Sequence, residues 1–472
     1  MLFCEVKKNK KMNLILSTVF SGIFMMFIGF LVKKQSYLNS IAALLFAGII
    51  GSAVLQLNHI AILPDAFKNM LWINDYGIQF FIILAFATLF YIVLNHEEFE
   101  KVNENYTQDY YALLFFVFTG IALLALFSNL VIMFLGVEIL SIPMYILAGS
   151  KKDKMKSTEA SIKYFLMGAF STGLLLMGIT LLYGATGSFD YDHLSIVSVK
   201  GFEHIYFFGW ILLILSFCFK ISLAPFHFWA PDVYDGTPTV FTSFMSTIVK
   251  GAAFLGFVQI LSAFPTTHAL AENYRFLIGI IILLTLLIGN FSAIAQQSVK
   301  RMMAYSSIVQ AGFMMFIALQ LSENSKNALL FYVLSYSLAG ISIFYTLAKI
   351  KKLNYENFNG FAKNNPFLAF TTTVSLISLA GIPLTSGFIA KFSVLSSVID
   401  NPKNISLLII ALVLAVLSIY YYFKVIIAMY FKNETSNEVI RVSILSKITL
   451  ILTITLIIIL GIFPNTLEFI FS

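Results

Sequence analysis

The chain has 472 residues, 59% of them hydrophobic and only 11% charged, against roughly 25% charged in soluble domains. A mean hydropathy of +0.89 exceeds what an aqueous core can bury, so a bilayer must solvate most of the chain. The net charge of +7 comes from lysines in short polar loops, which is the charge pattern of a membrane protein and not of a nucleic-acid binder.

Apolar runs of membrane-spanning length follow one another along the sequence. They cover residues 13–32, 38–57, 77–94, 110–127, 129–149, 160–184, 204–230, 239–262, 275–296, 301–320, 327–348, 367–398, 405–430 and 446–470. The expected fold is therefore an all-α polytopic membrane protein of about 14 helices. It forms a single transmembrane domain over 1–472 with no soluble module between spans.

Loops after odd-numbered spans carry Lys33, Lys34, Lys101, Lys151, Lys152, Lys154, Lys156, Lys300, Arg301, Lys349, Lys351, Lys352, Lys363, Lys432, Arg441 and Lys447. Loops after even-numbered spans carry only Lys68, Lys200, Arg275, Lys326 and Lys403. The bias places odd loops in the cytoplasm and both termini outside. Lys7, Lys8, Lys10 and Lys11 run against it, and translation from Met12 instead of Met1 would remove them. No small-residue cleavage site follows the first apolar run clearly.

Cys4 and Cys218 have no metal-ligand spacing. No histidine pair suits a haem, and there is no Walker or GxGxxG loop. The chain is expected to bind no cofactor and no metal.

Prolines interrupt two long segments: Pro225 and Pro231 near and just past the end of the seventh span, and Pro383, flanked by Gly381 and Gly387, in the twelfth. Proline frees a carbonyl. Freed backbone groups at membrane depth persist only inside protein or beside water. Two discontinuous helices in corresponding halves point to a transport fold.

Four charges lie far from any loop: Glu138 in the fifth span, Lys220 five residues before Pro225, Lys250 in the eighth span, and Lys391 after the second break. A mid-bilayer charge costs at least about 2.5–3.5 kcal/mol. Lys250 is about ten residues from either helix end, roughly 15 Å, too far to snorkel. Lys163 and Lys424 lie nearer the ends. A buried lysine whose carboxylate partner moves can hold or release a proton, whereas arginine stays charged. Glu138 and Lys220 suit a modulating pair, Lys250 a central carrier, and Lys391 the onward step. A static ion pair is the bland alternative, but buried pairs are poor stabilisers.

The segments LGVEILSIPMYIL (135–147), FKISLAPFHFWAPDVYDGTPT (219–239), VKRMMAYSSIVQAGF (299–313) and ISLAGIPLTSGFIAKF (377–392) resemble, in order, the antiporter-like proton-translocating subunits of bacterial NADH–quinone oxidoreductase, respiratory complex I. The PDVYDGTPT wording favours the N branch over M. The resemblance implies two inverted five-helix repeats, 110–262 and 275–430, flanked by 13–94 and 446–470. It implies a proton path through Glu138, Lys220, Lys250 and Lys391, with Lys163, His227 and Gln310 as candidates for a secondary path. His227 could equally anchor the helix break.

Gln310 stands where related subunits often have histidine; an amide cannot titrate, but it can hydrogen-bond water. NADH, FMN, iron–sulfur clusters and quinone are implied for the complex and not for this chain. The implied partners are the other membrane-arm subunits, neighbouring antiporter-like subunits included, in the bacterial inner membrane. Multisubunit cation/proton antiporters share the pattern and are the alternative. A solute transporter would need a polar pocket with its own charge cluster, and an inert scaffold leaves four buried charges unexplained.

Overall fold

The computed structural model describes residues 13–32, 35–58, 60, 70–103, 106–196, 201–264, 269–433 and 439–465. Cys4, the lysines before the first span and both candidate start methionines lie outside these residues, as do Lys33, Lys34, Lys68 and Lys200.

The described chain is helical throughout. In order it forms α1 (Asn13–Leu31), α2 (Gln35–Leu57), α3 (Asp75–Val102), α4 (Thr107–Leu126), α5 (Leu130–Ala148), α6 (Met155–Thr186) and the short α7 (Tyr191–Ile196). Then come α8 (Glu203–Ile221), α9 (Trp229–Gly236), α10 (Thr239–Phe244), α11 (Lys250–Leu261), α12 (Ala269–Ala295) and α13 (Val299–Met314). The last are α14 (Glu323–Lys349), the short α15 (Phe361–Asn364), α16 (Pro366–Ala380), α17 (Ser386–Ser396), α18 (Ile405–Phe431) and α19 (Ile444–Ile462). Among the described residues thirteen helices are long and apolar enough to cross a membrane. The twelfth predicted span is the interrupted pair α16–α17, each half too short to cross alone.

Helix boundaries follow local chemistry. Asn129 accepts from Val131 N at the start of α5. Ser322 and Ser325 form a capping box at the start of α14. Each side chain satisfies a backbone donor that the first turn leaves free.

Two breaks interrupt this pattern. After α8 the chain turns through Ser222, in the left-handed region, and a cis Ala224–Pro225 bond. After α16 it turns through Gly381 and Leu384, both left-handed, with Pro383 between them. Pro231 differs from expectation. It lies inside the first turn of α9, where the missing donor has no intrahelical partner to lose. The seventh predicted span is therefore two helices, and α9 runs on to Gly236.

The core sits around α10–α11, α13 and α14, almost wholly buried by their neighbours. Close packing depends on small residues. A Cβ on Gly178 of α6 would lie 2.9 Å from the Gly209 carbonyl oxygen of α8, so α6 and α8 can meet only where both lack side chains.

Candidate functional site: a buried row of charges

Glu138 and Lys220 face each other from α5 and α8. Lys220 Nζ is 4.0 Å from Glu138 Oε1, the outer limit of an ion pair. Closer groups hold both. Thr172 Oγ1 of α6 donates to Glu138 Oε1 at 2.7 Å, and Lys220 Nζ donates to Ser141 Oγ at 3.0 Å and the Tyr145 hydroxyl at 3.4 Å. Lys220 sits on the last turn of α8, one residue before the chain begins to leave the helix. The pair thus has alternative partners for each member and room to tighten.

Lys250 opens α11 directly after a π-helical turn, Met245–Val249. Such a turn widens the helix and is frequent at functional sites. The Lys250 side chain is buried. Its ammonium donates to the Ser307 carbonyl oxygen at 2.9 Å and to Ser307 Oγ at 3.0 Å on α13, and lies 5.9 Å from the Tyr234 ring centre. No carboxylate pairs with it among the described residues.

Lys391 reaches back from α17 to the open end of α16. It donates to the carbonyl oxygens of Leu379 at 2.8 Å and Ala380 at 3.1 Å, and lies 5.1 Å from the Phe313 ring centre. These carbonyls are free because the helix ends there, and the negative end of a helix dipole favours a cation.

Gln310 on α13 joins the two halves of the row. Its Nε2 donates to the Leu379 oxygen at 2.9 Å, the atom that also anchors Lys391, and to the Tyr422 hydroxyl at 3.0 Å. Tyr332 donates to its Oε1 at 2.5 Å. One helix, α13, therefore contacts Lys250 through Ser307 and the Lys391 anchor through Gln310.

The other candidates divide. His227 lies in the first break, buried, with Nδ1 lacking a hydrogen-bond partner among the described residues. Lys163 stands apart from the row: it pairs with Glu159 at 2.7 Å and Asp232 at 3.2 Å. Asp232 also takes Arg301 Nη2 at 2.7 Å. Burial pushes the Asp232 carboxyl up, but hydrogen bonds from Arg301 and Lys163 outweigh it and hold the group below its ordinary value. Lys424 rests over the Tyr355 ring, 4.1 Å from its centre.

Two buried lysines escaped the sequence reading because they adjoin loops. Lys300 donates to the Asp235 and Thr237 carbonyl oxygens at 3.0 and 2.5 Å. Lys349 pairs with Glu97 and, at 2.9 Å, with Glu98. Hydropathy counts both as loop cations. The hydroxyl residues Thr346, Ser342 and Ser335 on the same helix face as Lys349, interrupted once by Ala339, were the available signal. Among the described residues no group of three His, Cys, Asp or Glu could hold a metal.

A membrane fold with two broken helices and a buried glutamate–lysine row defines an antiporter-like proton-translocating subunit. The family described as NADH:quinone oxidoreductase/Mrp antiporter, transmembrane, matches residues 128–418. The chain is 42% identical over 409 residues to NADH-quinone oxidoreductase subunit N of Cytophaga hutchinsonii, covering 86% of this chain and 88% of that one. It is 34% identical to subunit N of Flavobacterium johnsoniae, covering 96% and 98%.

Among solved structures, a chain of respiratory complex I from Thermus thermophilus with bound aureothin superposes with a TM-score of 0.81 at 27% identity, covering 96% of this chain and 98% of that one. A chain of the Mrp complex from Dietzia sp. gives 0.82 at 16% identity, covering 96% and 95%, and so shares the fold. The chain belongs to this NADH:quinone oxidoreductase/Mrp antiporter family, in its subunit N branch. It is a multi-pass, proton-translocating membrane-arm subunit of a bacterial respiratory complex I.

Proposed function

We propose that protons cross this subunit along Glu138, Lys220, Lys250 and Lys391. The observation that carries the reading is α13, which touches Lys250 at Ser307 and the Lys391 anchor at Gln310. A proton loaded from the cytoplasm at the Glu138–Lys220 pair passes to Lys250, then past α13 to Lys391 and outward. Approach of Glu138 to Lys220 favours the charged lysine, and separation favours release. At 4.0 Å the pair stands between those states.

Gln310 keeps its amide hydrogens throughout. It orients the Leu379 carbonyl and Tyr422 and is not itself a carrier. His227 at the first break is a candidate for the approach to Lys220, while Lys163, paired with Glu159 and Asp232, belongs to a secondary path.

The helices 110–262 and 275–430 act as two inverted repeats, one around each break, with 13–94 and 446–470 as flanks. The supporting symmetry is that each repeat has a left-handed turn next to a functional lysine: Ser222 beside Lys220, and Gly381 against Lys391. NADH, FMN, iron–sulfur clusters and quinone belong to the rest of the complex. The partners are neighbouring antiporter-like subunits of the inner-membrane arm, and both termini lie on the periplasmic side.

The test is Lys250→Met in the intact complex. The expected result is normal assembly with proton pumping strongly lowered, since a positioned proton-transfer group contributes about 10²–10⁴-fold. Parental pumping in an assembled Lys250→Met complex would sink the reading. Sodium-dependent transport by the chain without NADH oxidation would favour the cation/proton antiporter alternative.

A further inference from the structure

Helix α14 carries a polar stripe that the path above does not use. Lys349, Thr346, Ser342, Ala339, Ser335 and Tyr332 follow one another at alternating intervals of three and four residues, which places them on one face of the helix. The stripe is about 26 Å long at 1.5 Å per residue. From Thr346 to Tyr332 every member is buried.

The stripe faces the second break. Thr346 and Thr372 of α16 share a hydrogen bond of 2.9 Å. Ser335 donates to Ser386, the first residue of α17, at 2.7 Å. Ser375 and Ser378, further along α16 from Thr372, are buried too, Ser375 donating to the Thr371 carbonyl oxygen and Ser378 Oγ accepting from the Gly387 amide. Tyr332 closes the inner end on Gln310, whose amide shares the Leu379 oxygen with Lys391. At the outer end lies an alternating charge cluster: Lys349 between Glu97 and Glu98, with Lys101 on the same Glu98 oxygen at 2.8 Å. Glu97 is the half-open member, its side chain 35% exposed, while Lys349 is 4% exposed.

Hydroxyls commonly bind membrane helices together, and that accounts for the Thr346–Thr372 and Ser335–Ser386 pairs. It leaves two features unexplained. Ser342 Oγ, fully buried midway along the stripe, has no hydrogen-bond partner among the described residues, although burying an unpaired hydroxyl is costly. And the stripe joins an ionisable cluster to a functional lysine, where packing alone would need neither end.

We propose that the seam between α14 and α16 is a second proton path, carrying protons from the cytoplasmic face directly to Lys391. It rests on the assignment of Lys391 to proton transfer and on the lysine bias that puts Lys349 in the cytoplasm. Glu97 and Glu98 collect protons at the mouth, and Lys349 holds their charge in place. Ala339 carries no hydroxyl and Gln310 gives up no proton, so water admitted to the seam and held by the hydroxyls makes the links that the side chains do not, up to Lys391. Each water takes a proton on one side as it gives one on the other, and none stays charged. The neutral amine of Lys391 receives the last proton and becomes ammonium. Lys391 is then loaded without passing through Lys250.

The experiment measures proton pumping per NADH oxidised by the whole complex in native membrane vesicles. Thr346→Val combined with Ser342→Ala removes two hydroxyls with little change of shape. Thr346→Ser combined with Ser342→Thr keeps both. The expected result is a several-fold fall in pumping for the first pair and near-parental pumping for the second, with both assembled. Packing alone would give the opposite order, because valine fills threonine's space better than serine does. Should the first pair fail to assemble, Ser342→Ala alone carries the same expectation. Parental pumping in the hydroxyl-free variant, alongside lost pumping in Lys391→Met, overturns the seam and leaves the main path standing. Parental pumping in Lys391→Met overturns both.

Discussion

Glu138 and Lys220 are held apart by their own neighbours. Thr172 holds the carboxylate at 2.7 Å, and Ser141 holds the ammonium at 3.0 Å, so the 4.0 Å gap is a position with competing contacts on both sides. Each member can move without leaving a bare buried charge, whose cost would otherwise lock the pair. Glu138→Gln keeps the Thr172 hydrogen bond and removes the charge. Lys220 then loses its electrostatic partner but keeps Ser141 and Tyr145. The expected outcome is pumping reduced several-fold, less than in Lys250→Met, with the complex assembled. Proton uptake by membrane vesicles after NADH addition reads it. A Glu138→Gln complex that pumps at the parental rate would show the pair to be a static contact.

The second break is an element built by close approach. The Gly387 amide donates to Ser378 Oγ at 3.1 Å, and a Cβ on Gly387 would sit 1.8 Å from the Ser378 carbonyl oxygen. No rotamer relieves a clash with backbone. Gly387→Ala must therefore push α17 off the end of α16 and carry Lys391 away from the Leu379 and Ala380 oxygens. A cost of about 1–3 kcal/mol is the usual scale of such overpacking. The measurement is the thermal midpoint of the purified complex together with its pumping, and both should fall. A midpoint equal to the parent's would mean that the two halves of the broken helix are free to slide.

This element also marks the limit of the sequence. Pro383 and the flanking glycines announced a break, and the apolar runs announced its place among the spans, because both signals are local. That Lys391 turns back onto α16, and that Gln310 shares its anchor, depends on which helices pack together. The π-helical turn before Lys250 has no breaker residue to signal it. Lys300 and Lys349 looked like ordinary interfacial cations. Their burial comes from α9 and α3, helices more than sixty and two hundred residues distant in sequence.

At the scale of the molecule, the outer helices present large apolar side chains such as Phe20, Phe27, Phe30, Leu44, Phe170 and Val416, a surface suited to lipid and to apolar neighbours. Where the first half meets the second, charges at the helix ends do the joining. Asp232 of α9 is the shared acceptor: Lys163 reaches it from α6 and Arg301 from α13. Its carboxyl is held below the ordinary range. A depressed acid contributes stability that is complete above its unfolded value, about pH 4, and is lost as pH falls through the lower folded value.

The groups are more than a third exposed or close to it, so solvent screens them, and the Asp232–Arg301 pair contributes about 0–1 kcal/mol. Asp232→Asn should therefore lower the thermal midpoint of the detergent-solubilised complex only slightly at neutral pH and low salt. The gap between variant and parent should narrow as salt rises, since the screening length shortens from about 30 Å at 0.01 M to about 3 Å at 1 M. It should narrow again as pH falls from about 4, the unfolded value, down through the lower folded value, where the parent carboxylate also becomes neutral. A gap that ignores both salt and acid would mean that Asp232 joins the halves by hydrogen-bond geometry alone, since asparagine keeps an acceptor and loses only the charge.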